Sequence, residues 1–423
     1  MQMLLQRLVP PSSKGRRILK VLDNMKITVM CGLMTVLVLR GTIGTGTFGT
    51  SPDAQEEAES ADHHYHIRIL NQLEDEENLT TPWDGLGPVV SDWDAQRRQY
   101  WKLNQNSNVS GGSPASTVSE LLELQPQKLQ LVTAARSGRT QGADCVTPVA
   151  DHYLLKFFKN KIDYCRLHNI EFFYNTADLD RHLTGFWTKL PLLRNMMLAH
   201  PEVEWLWWMD TDAVITDMLF ELPLEKYQNY SLVVQGFPEA VYRDKSWTGL
   251  NTGSFLIRNC QWSLDLLDAW APMGPKGSTR EKAGEMLTQS LVGRPASLEA
   301  DDQSALVYLL ITQTAKWADR VYLESTYFLH GYWVELVDKY EKMMENFHPG
   351  LGDERWPLVT HFTGCKPCPQ FSDFPVARCL KQMERAFNFA NNQILHIYGY
   401  QHNSLEKGDV KPKSDTTATT TST

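Results

Sequence analysis

The 423-residue chain has no excess of positive charge: 41 Lys and Arg stand against 50 Asp and Glu, for a net charge of −9. That balance excludes nucleic acid as an expected partner, because a phosphate backbone calls for a basic face. Cysteine is sparse, at seven residues. Cys365-Lys366-Pro367-Cys368 has no second pair of its kind, so a disulfide, or two separate ones, is expected there rather than zinc. No internal repeat is present. A full-length apolar run is also missing. Ile27 to Leu39 is short for a membrane span, which needs roughly 20 residues. Continuing it to Phe48 takes in Arg40, which must then snorkel to the interface.

What precedes that run gives it an orientation. Arg7, Lys14, Arg16, Arg17, Lys20 and Lys26 lie on its amino-terminal side. A cleaved signal peptide is the competing reading, but the basic region is too long for one. Thr45-Gly46-Thr47 is also a poor cleavage site. The positive-inside rule then makes residues 1–26 a cytosolic tail, 27–48 a type II signal-anchor helix, and the rest lumenal. Asn78-Leu79-Thr80, Asn108-Val109-Ser110 and Asn229-Tyr230-Ser231 are glycosylation sequons that suit a lumenal address. In that oxidising compartment Cys145, Cys165, Cys260, Cys365, Cys368 and Cys379 are free to pair, with the connectivity open.

Residues 49–125 are acidic and polar, with Gln55 to Glu59, Glu74 to Glu77 and Ser110 to Pro114. Such a composition cannot bury enough apolar surface to fold alone, and it reads as a stem. Val89 to Trp93 and Trp101 are the exception, expected to pack on the main domain. By length the chain could hold up to about three domains, or one large α/β domain with extensions. From Leu129 onward strands and helices alternate: strands at Leu129–Thr133, Ile170–Tyr174, Trp205–Met209, Ser231–Val234 and Gly253–Ile257. Helices are expected over Tyr153–Leu167, Leu190–Leu198, Trp262–Trp270 and Gln303–Leu310. This order predicts an α/β domain over 126–405, its mostly parallel sheet covered by helices on both faces. The Lys-, Ser- and Thr-rich stretch 406–423 is expected to be disordered.

One junction carries the chemistry. Trp205-Leu206-Trp207-Trp208-Met209 reads as a buried strand, and Asp210-Thr211-Asp212 follows at its carboxyl end, the edge where open α/β sheets bind ligands. Two carboxylates there suit a hard cation such as Mg²⁺ or Mn²⁺, which in turn holds a diphosphate. A helix cap or a solvated turn is the structural alternative. Trp247 to Phe255 brings two glycines directly before a strand, suited either to close backbone approach to a sugar or to a tight turn. Glu299-Ala300-Asp301-Asp302-Gln303 opens a helix, which explains one aspartate as an N-cap but not both. Thr360 to Lys366 offers His361 as a third metal ligand and Lys366 as a partner for phosphate, although a lone histidine is commonly structural.

Together these segments resemble the family 34 glycosyltransferases, and within them the plant xyloglucan 6-xylosyltransferase branch. The likeness runs through Phe186 to Pro191, His200 to Met218, Asn251 to Asp265, Ala271 to Gly277, Glu299 to Ser304, His348 to Asp353, His361 to Cys368 and Arg385 to Phe389. It spans about residues 145–405 and reappears at Lys26–Gly32 and Leu39–Gly44. The resemblance implies a GT-A fold, Mn²⁺-dependent retaining transfer, UDP-xylose as donor, a β-1,4-glucan as acceptor and a Golgi membrane location. It implies Asp210, Asp212 and His361 as metal ligands and Lys366 facing the diphosphate. Asn251, Gly253 and Lys189 fall in the donor site, and Asp301, Asp302 and Gln303 near the anomeric carbon. Tyr332 and Trp333 are candidates for stacking on a glucan, with a place in the core as the equal alternative. The pattern departs from the family at Ala134 to Arg139 and Cys145 to His152, a region expected to embrace the nucleotide. Homo- or hetero-oligomers with related transferases are a further partner expectation, and mannan galactosyl transfer and a scaffold subunit are the rival readings.

Overall fold

The computed structural model describes residues 83–108, 128–134, 147–177, 179–369 and 372–413. The predicted anchor at 27–48, Asn78, most of the stem and residues 135–146 lie outside them. Among the described residues no helix is long and apolar enough to cross a membrane.

The central sheet has six strands in the order β2-β1-β3-β6-β5-β7. These are β1 (Leu129–Ala134), β2 (Glu171–Asn175), β3 (Trp205–Met209), β5 (Leu232–Gly236), β6 (Leu250–Arg258) and β7 (Val321–Glu324). The sheet is mixed: β6 runs antiparallel to both its neighbours, β3 and β5, while the remaining pairs are parallel. The expected mostly parallel sheet therefore needs one correction, the reversal of β6. That reversal has a consequence. Because Met209 pairs with Ser254, the start of β6 lies level with the residues that follow β3. Asn251, Thr252 and Gly253 thus reach the same sheet edge as the two aspartates.

All five residues of β3 are buried, which is why its sequence reads as an unbroken apolar run. Leu206 and Trp208 belong to one core cluster and Trp205, Trp207 and Met209 to the other, the alternation that a pleated strand imposes. One cluster is closed by helices α3 (Lys189–Ala199), α4 (Gln261–Trp270), α5 (Ser278–Ser290) and α6 (Asp302–Thr312). The other is closed by α2 (Pro148–Leu167) and the long α7 (Val376–Ile397). Helix α2 starts five residues before its expected first residue, because Pro148 opens it and the Thr147 hydroxyl accepts from Ala150 N–H at 3.1 Å.

A second sheet of three short strands has the order β4-β9-β8: β4 (Ala213–Ile215), β8 (Gly331–Tyr332) and β9 (Val359–His361). None of these was visible as a strand in the sequence, since two or three residues carry no periodicity.

The first described helix, α1 (Trp93–Asn108), falls within the expected stem. Trp93 is buried, and its indole N–H donates to Asn259 Oδ1 at 2.7 Å. Arg97 reaches the carbonyls of Pro201, Val203 and Asn259. Trp83, Leu86 and Val90 also pack on the core, while Val89 is exposed. At the other end, the disorder expected after Leu405 is contradicted up to Lys413. There β10 (Tyr400–Ser404) and β11 (Lys407–Pro412) form an antiparallel hairpin. Asn388 holds it to α7, donating to the carbonyls of Leu405 and Lys407. Backbone pairing forms β11, every residue of which is exposed, so composition gave no sign of it.

Candidate active site

Asp210 and Asp212 leave the carboxyl end of β3, and β4 begins directly after them. Pairing of β4 with β9 places Ala213 opposite His361, and the Asp212 carbonyl accepts from Phe362 N–H at 3.0 Å. This strand pair closes a sequence gap of 149 residues and brings His361 Nε2 to 3.0 Å from Asp212 and 3.8 Å from Asp210. One ligand atom from each residue lies within 4.8 Å of the others. The Lys366 ammonium bonds the second Asp212 oxygen. Burial acts to raise the Asp212 carboxyl, but Lys366 and His361 more than reverse it and hold it well below the usual carboxylate range.

Two carboxylates and one imidazole form a donor set that a hard to borderline divalent cation accepts. The backbone is fitted to this arrangement at Gly253. A Cβ there would stand 2.2 Å from His361 Cε1 and 2.5 Å from Nδ1, so glycine is required by the close approach of the histidine ring. Asp210 N–H also donates to the Gly253 carbonyl at 2.8 Å.

Behind the aspartates lies a buried charged layer. Lys189, fully buried in α3, sits 2.8 Å from Asp302 and 3.5 Å from Asp210, and donates to the Thr252 carbonyl at 3.0 Å. Burial alone would lower its pKa; Asp210 and Asp302 raise it above the ordinary value, so it stays charged. Thr252 Oγ1 donates to Asp302 at 2.6 Å. Gln303 accepts from Asn251 Nδ2 at 2.9 Å and donates to the Trp247 carbonyl at 3.0 Å, while Asn251 Oδ1 accepts from Gly253 N–H.

The sequence expectations therefore separate. Asp210, Asp212, His361 and Lys366 converge, with Lys189 touching the first. Asn251, Gly253, Asp302 and Gln303 join the same edge through this hydrogen-bond layer. Asp301 is instead the N-cap of α6: one oxygen accepts from Ser304 N–H at 2.7 Å and the other pairs with Arg294 at 3.1 Å. Tyr332 is exposed, whereas Trp333 is core, stacked on Phe362 and donating to the Thr363 carbonyl. Asn229 lies on an exposed turn. Cys365 bonds Cys379, and Cys368 is in a disulfide of its own, so the Cys-X-X-Cys residues are not joined to each other. Cys165 and Cys260 are free.

Sequence reasoning missed three supporting residues. Lys161, buried in α2, donates to the carbonyls of Ala213 at 2.7 Å and Thr211 at 3.5 Å. Burial lowers its pKa to about 7 against the pull of Asp212 and Asp210. Its neighbour Asn160 accepts from Ile215 N–H and donates to Ile215 C=O, both at 2.8 Å. The indole of Trp208 donates to Asp210 at 2.7 Å. None of the three stands apart in a sequence: Lys161 and Asn160 are ordinary helix residues whose targets lie 50 to 55 residues along the chain, and Trp208, two residues from Asp210, reads as one more aromatic of a buried strand.

A family model described as the galactosyl transferase GMA12/MNN10 family matches residues 128–372. The chain is 51% identical over 408 residues to "Probable xyloglucan 6-xylosyltransferase 5" of Arabidopsis thaliana, covering 94% of this chain and 85% of that one. It is 50% identical over 443 residues to "Xyloglucan 6-xylosyltransferase 1" of the same plant, covering 95% and 92%. "Probable xyloglucan 6-xylosyltransferase 1" of Oryza sativa subsp. indica is 52% identical over 422 residues, covering 94% and 90%. A solved glycosyltransferase involved in glycosylation of the major capsid of PBCV-1 aligns at 14% identity and a TM-score of 0.36, covering 61% of this chain and 98% of that one. That likeness is too slight to bear on the fold.

Proposed function

Since the chain belongs to the galactosyl transferase GMA12/MNN10 family, family 34 of the glycosyltransferases, we propose that it is a xyloglucan 6-xylosyltransferase of the Golgi membrane. On this reading it transfers xylose from UDP-xylose to O6 of glucose in a β-1,4-glucan, with retention and with Mn²⁺ as the bound metal. The α/β domain is of the GT-A type. The observation that carries the proposal is the meeting of Asp210, Asp212, His361 and Lys366 at one sheet edge. Relatives about 50% identical over most of the chain, named as xyloglucan 6-xylosyltransferases, support xylose as the sugar transferred and xyloglucan as the polysaccharide made.

Asp210, Asp212 and His361 would hold the cation, which when bound supplies positive charge at the departing diphosphate. Lys366, with its side chain about a third exposed, is the ammonium free to turn from Asp212 to a phosphate oxygen. There it stabilises charge that grows as the glycosidic bond breaks. Lys189 neutralises Asp210 and Asp302 from behind, which keeps the acidic cluster from repelling itself. Asn251 and Gln303 fix each other's amide orientation at the place where the sugar becomes oxocarbenium-like. The cysteine pairing and the sequon on an exposed turn support a lumenal, glycosylated domain.

The test compares UDP-xylose and UDP-galactose as donors with cellohexaose and mannohexaose as acceptors, Mn²⁺ being present. Xylosyl transfer to the cello-oligomer, with an α linkage by NMR, is expected. One CH₂OH on the sugar is typically worth about 1–3 kcal/mol, so preference rather than absolute exclusion should appear. Faster galactosyl transfer to mannohexaose would overturn the donor assignment, and no turnover of either by folded protein would favour a scaffold subunit.

A further inference from the structure

We propose that the Cys365–Cys379 disulfide is a positioning device for the Lys366 ammonium, so that nucleotide binding, and not only folding, depends on the oxidised chain. This rests on the reading of Lys366 as the diphosphate's partner. Lys189 is carried by a helix and is buried; Lys366 is carried by the loop between β9 and α7, with its side chain 35% exposed. A long, solvated lysine on an unsupported loop loses its geometry readily, because holding it costs side-chain entropy.

Several of the loop's hydrogen bonds are internal to it. Cys365 N–H donates to Phe362 C=O at 3.0 Å and Asp373 N–H to Gly364 C=O at 2.8 Å. Lys366 N–H donates to Ser372 Oγ at 3.2 Å. Gly364 sits at φ +74°, where a Cβ would meet Asp373 at 2.6 Å. These contacts shape the loop, and its first residue is tied to the metal-site frame where Phe362 N–H donates to the Asp212 carbonyl at 3.0 Å.

Trp333 attaches it upstream, at the Thr363 carbonyl. Covalent anchors flank Lys366, since the disulfide-bonded Cys368 follows two residues after it. The residue immediately before Lys366, buried Cys365, is bonded to Cys379 in the first turn of α7. Helix α7 packs on α2 and on β4, and its Gln393 accepts from Met218 N–H at 2.9 Å and donates to the Thr216 carbonyl at 2.8 Å. Strand β4 starts one residue after Asp212. The disulfide therefore closes a ring through Asp212, β4, α7, Cys379 and Cys365 back to Lys366, whose ammonium meets Asp212 again.

The experiment measures UDP affinity by calorimetry with Mn²⁺ present, on four full-length proteins: wild type, Lys366→Ala, Cys365→Ala with Cys379→Ala, and the triple variant. Removing the disulfide is expected to weaken UDP binding about tenfold, as loss of an orienting partner does elsewhere, and to leave Mn²⁺ binding alone unchanged. In the Lys366→Ala background it should cost nothing further, because the two act as one unit. A folded cysteine variant with wild-type UDP affinity, or penalties that multiply in the triple variant, would overturn the inference while leaving Lys366 its role. If Lys366→Ala itself leaves UDP affinity unchanged, the reading of Lys366 falls and takes the inference with it. Cys365→Val with Cys379→Ala refills the buried site should the alanine pair not fold. Failure of both to fold assigns the bond to stability and ends the proposal.

Discussion

Gly253→Ala tests the site more sharply than removal of a ligand, because it leaves all three ligands present. The added methyl would stand 2.2 Å from His361 Cε1 and 2.5 Å from Nδ1, where carbon contacts normally settle near about 3.5–4.0 Å. The ring must then move by roughly 1 Å, against a tolerance for metal–ligand distances of about 0.2 Å. It cannot move without cost, since β9 is paired on both sides by β4 and β8 and His361 is buried. The 3.0 Å approach of Nε2 to Asp212 is what gives way. Disturbing a ligand's orientation typically lowers metal affinity about 10–100-fold, which corresponds to about 1.4–2.7 kcal/mol. Overpacking adds about 1–3 kcal/mol of destabilisation, so the thermal midpoint falls as well. Calorimetric titration of Mn²⁺ into the folded variant, well below its midpoint, reads the first effect apart from the second. Wild-type Mn²⁺ affinity in a folded Gly253→Ala protein would refute the three-residue site.

Asp212→Ala should abolish sugar transfer while the circular dichroism spectrum stays that of the wild type; retained transfer would remove Asp212 from the site. Asp217 is fully buried and accepts from the N–H groups of Gly350, Leu351 and Gly352 at 2.7–3.0 Å. Asp217→Ala orphans those donors and should therefore cost at least about 3 kcal/mol in urea unfolding, a loss below about 1 kcal/mol being inconsistent with it. Trp93→Ala should cost about 3–5 kcal/mol, read from the denaturation midpoint; little change would mean that α1 is dispensable to the domain. Endoglycosidase treatment of the protein expressed in plant cells should increase its gel mobility, and Asn229→Gln should remove part of that shift; no shift at all would count against lumenal exposure.

Much of this was legible in the chain itself. Strands β1, β2, β3 and β5 and helices α3, α4 and α6 follow from periodicity and from runs too apolar to sit anywhere but inside, and their positions agree with the structure to within one or two residues. The Asp-X-Asp junction was legible because a buried strand ending in two carboxylates is chemically abrupt. So was the ambiguity of Asp301 and Asp302, which the structure divides: Asp301 caps α6, and Asp302 turns inward to Lys189. The segment His348 to Asp353 carries likeness to the family, yet its task is structural. Its amides wrap Asp217.

What the sequence could not hold is any relation that depends on the path of the chain through space. The reversal of β6, which carries Asn251 and Gly253 to the metal edge, is a matter of strand order, and hydrophobic pattern is blind to direction. Strands β4, β8 and β9 are too short for a period, yet their pairing sets His361 beside Asp212. Lys161 and Asn160 look like any polar pair on an amphipathic helix until α2 is laid beneath the aspartate turn. There their donors meet carbonyls about fifty residues downstream, which no local rule connects. Sequence determined which residues are chemically able to hold a cation and a diphosphate. The tertiary structure alone decided that they meet, because only packing converts a separation of 149 residues into 3.0 Å.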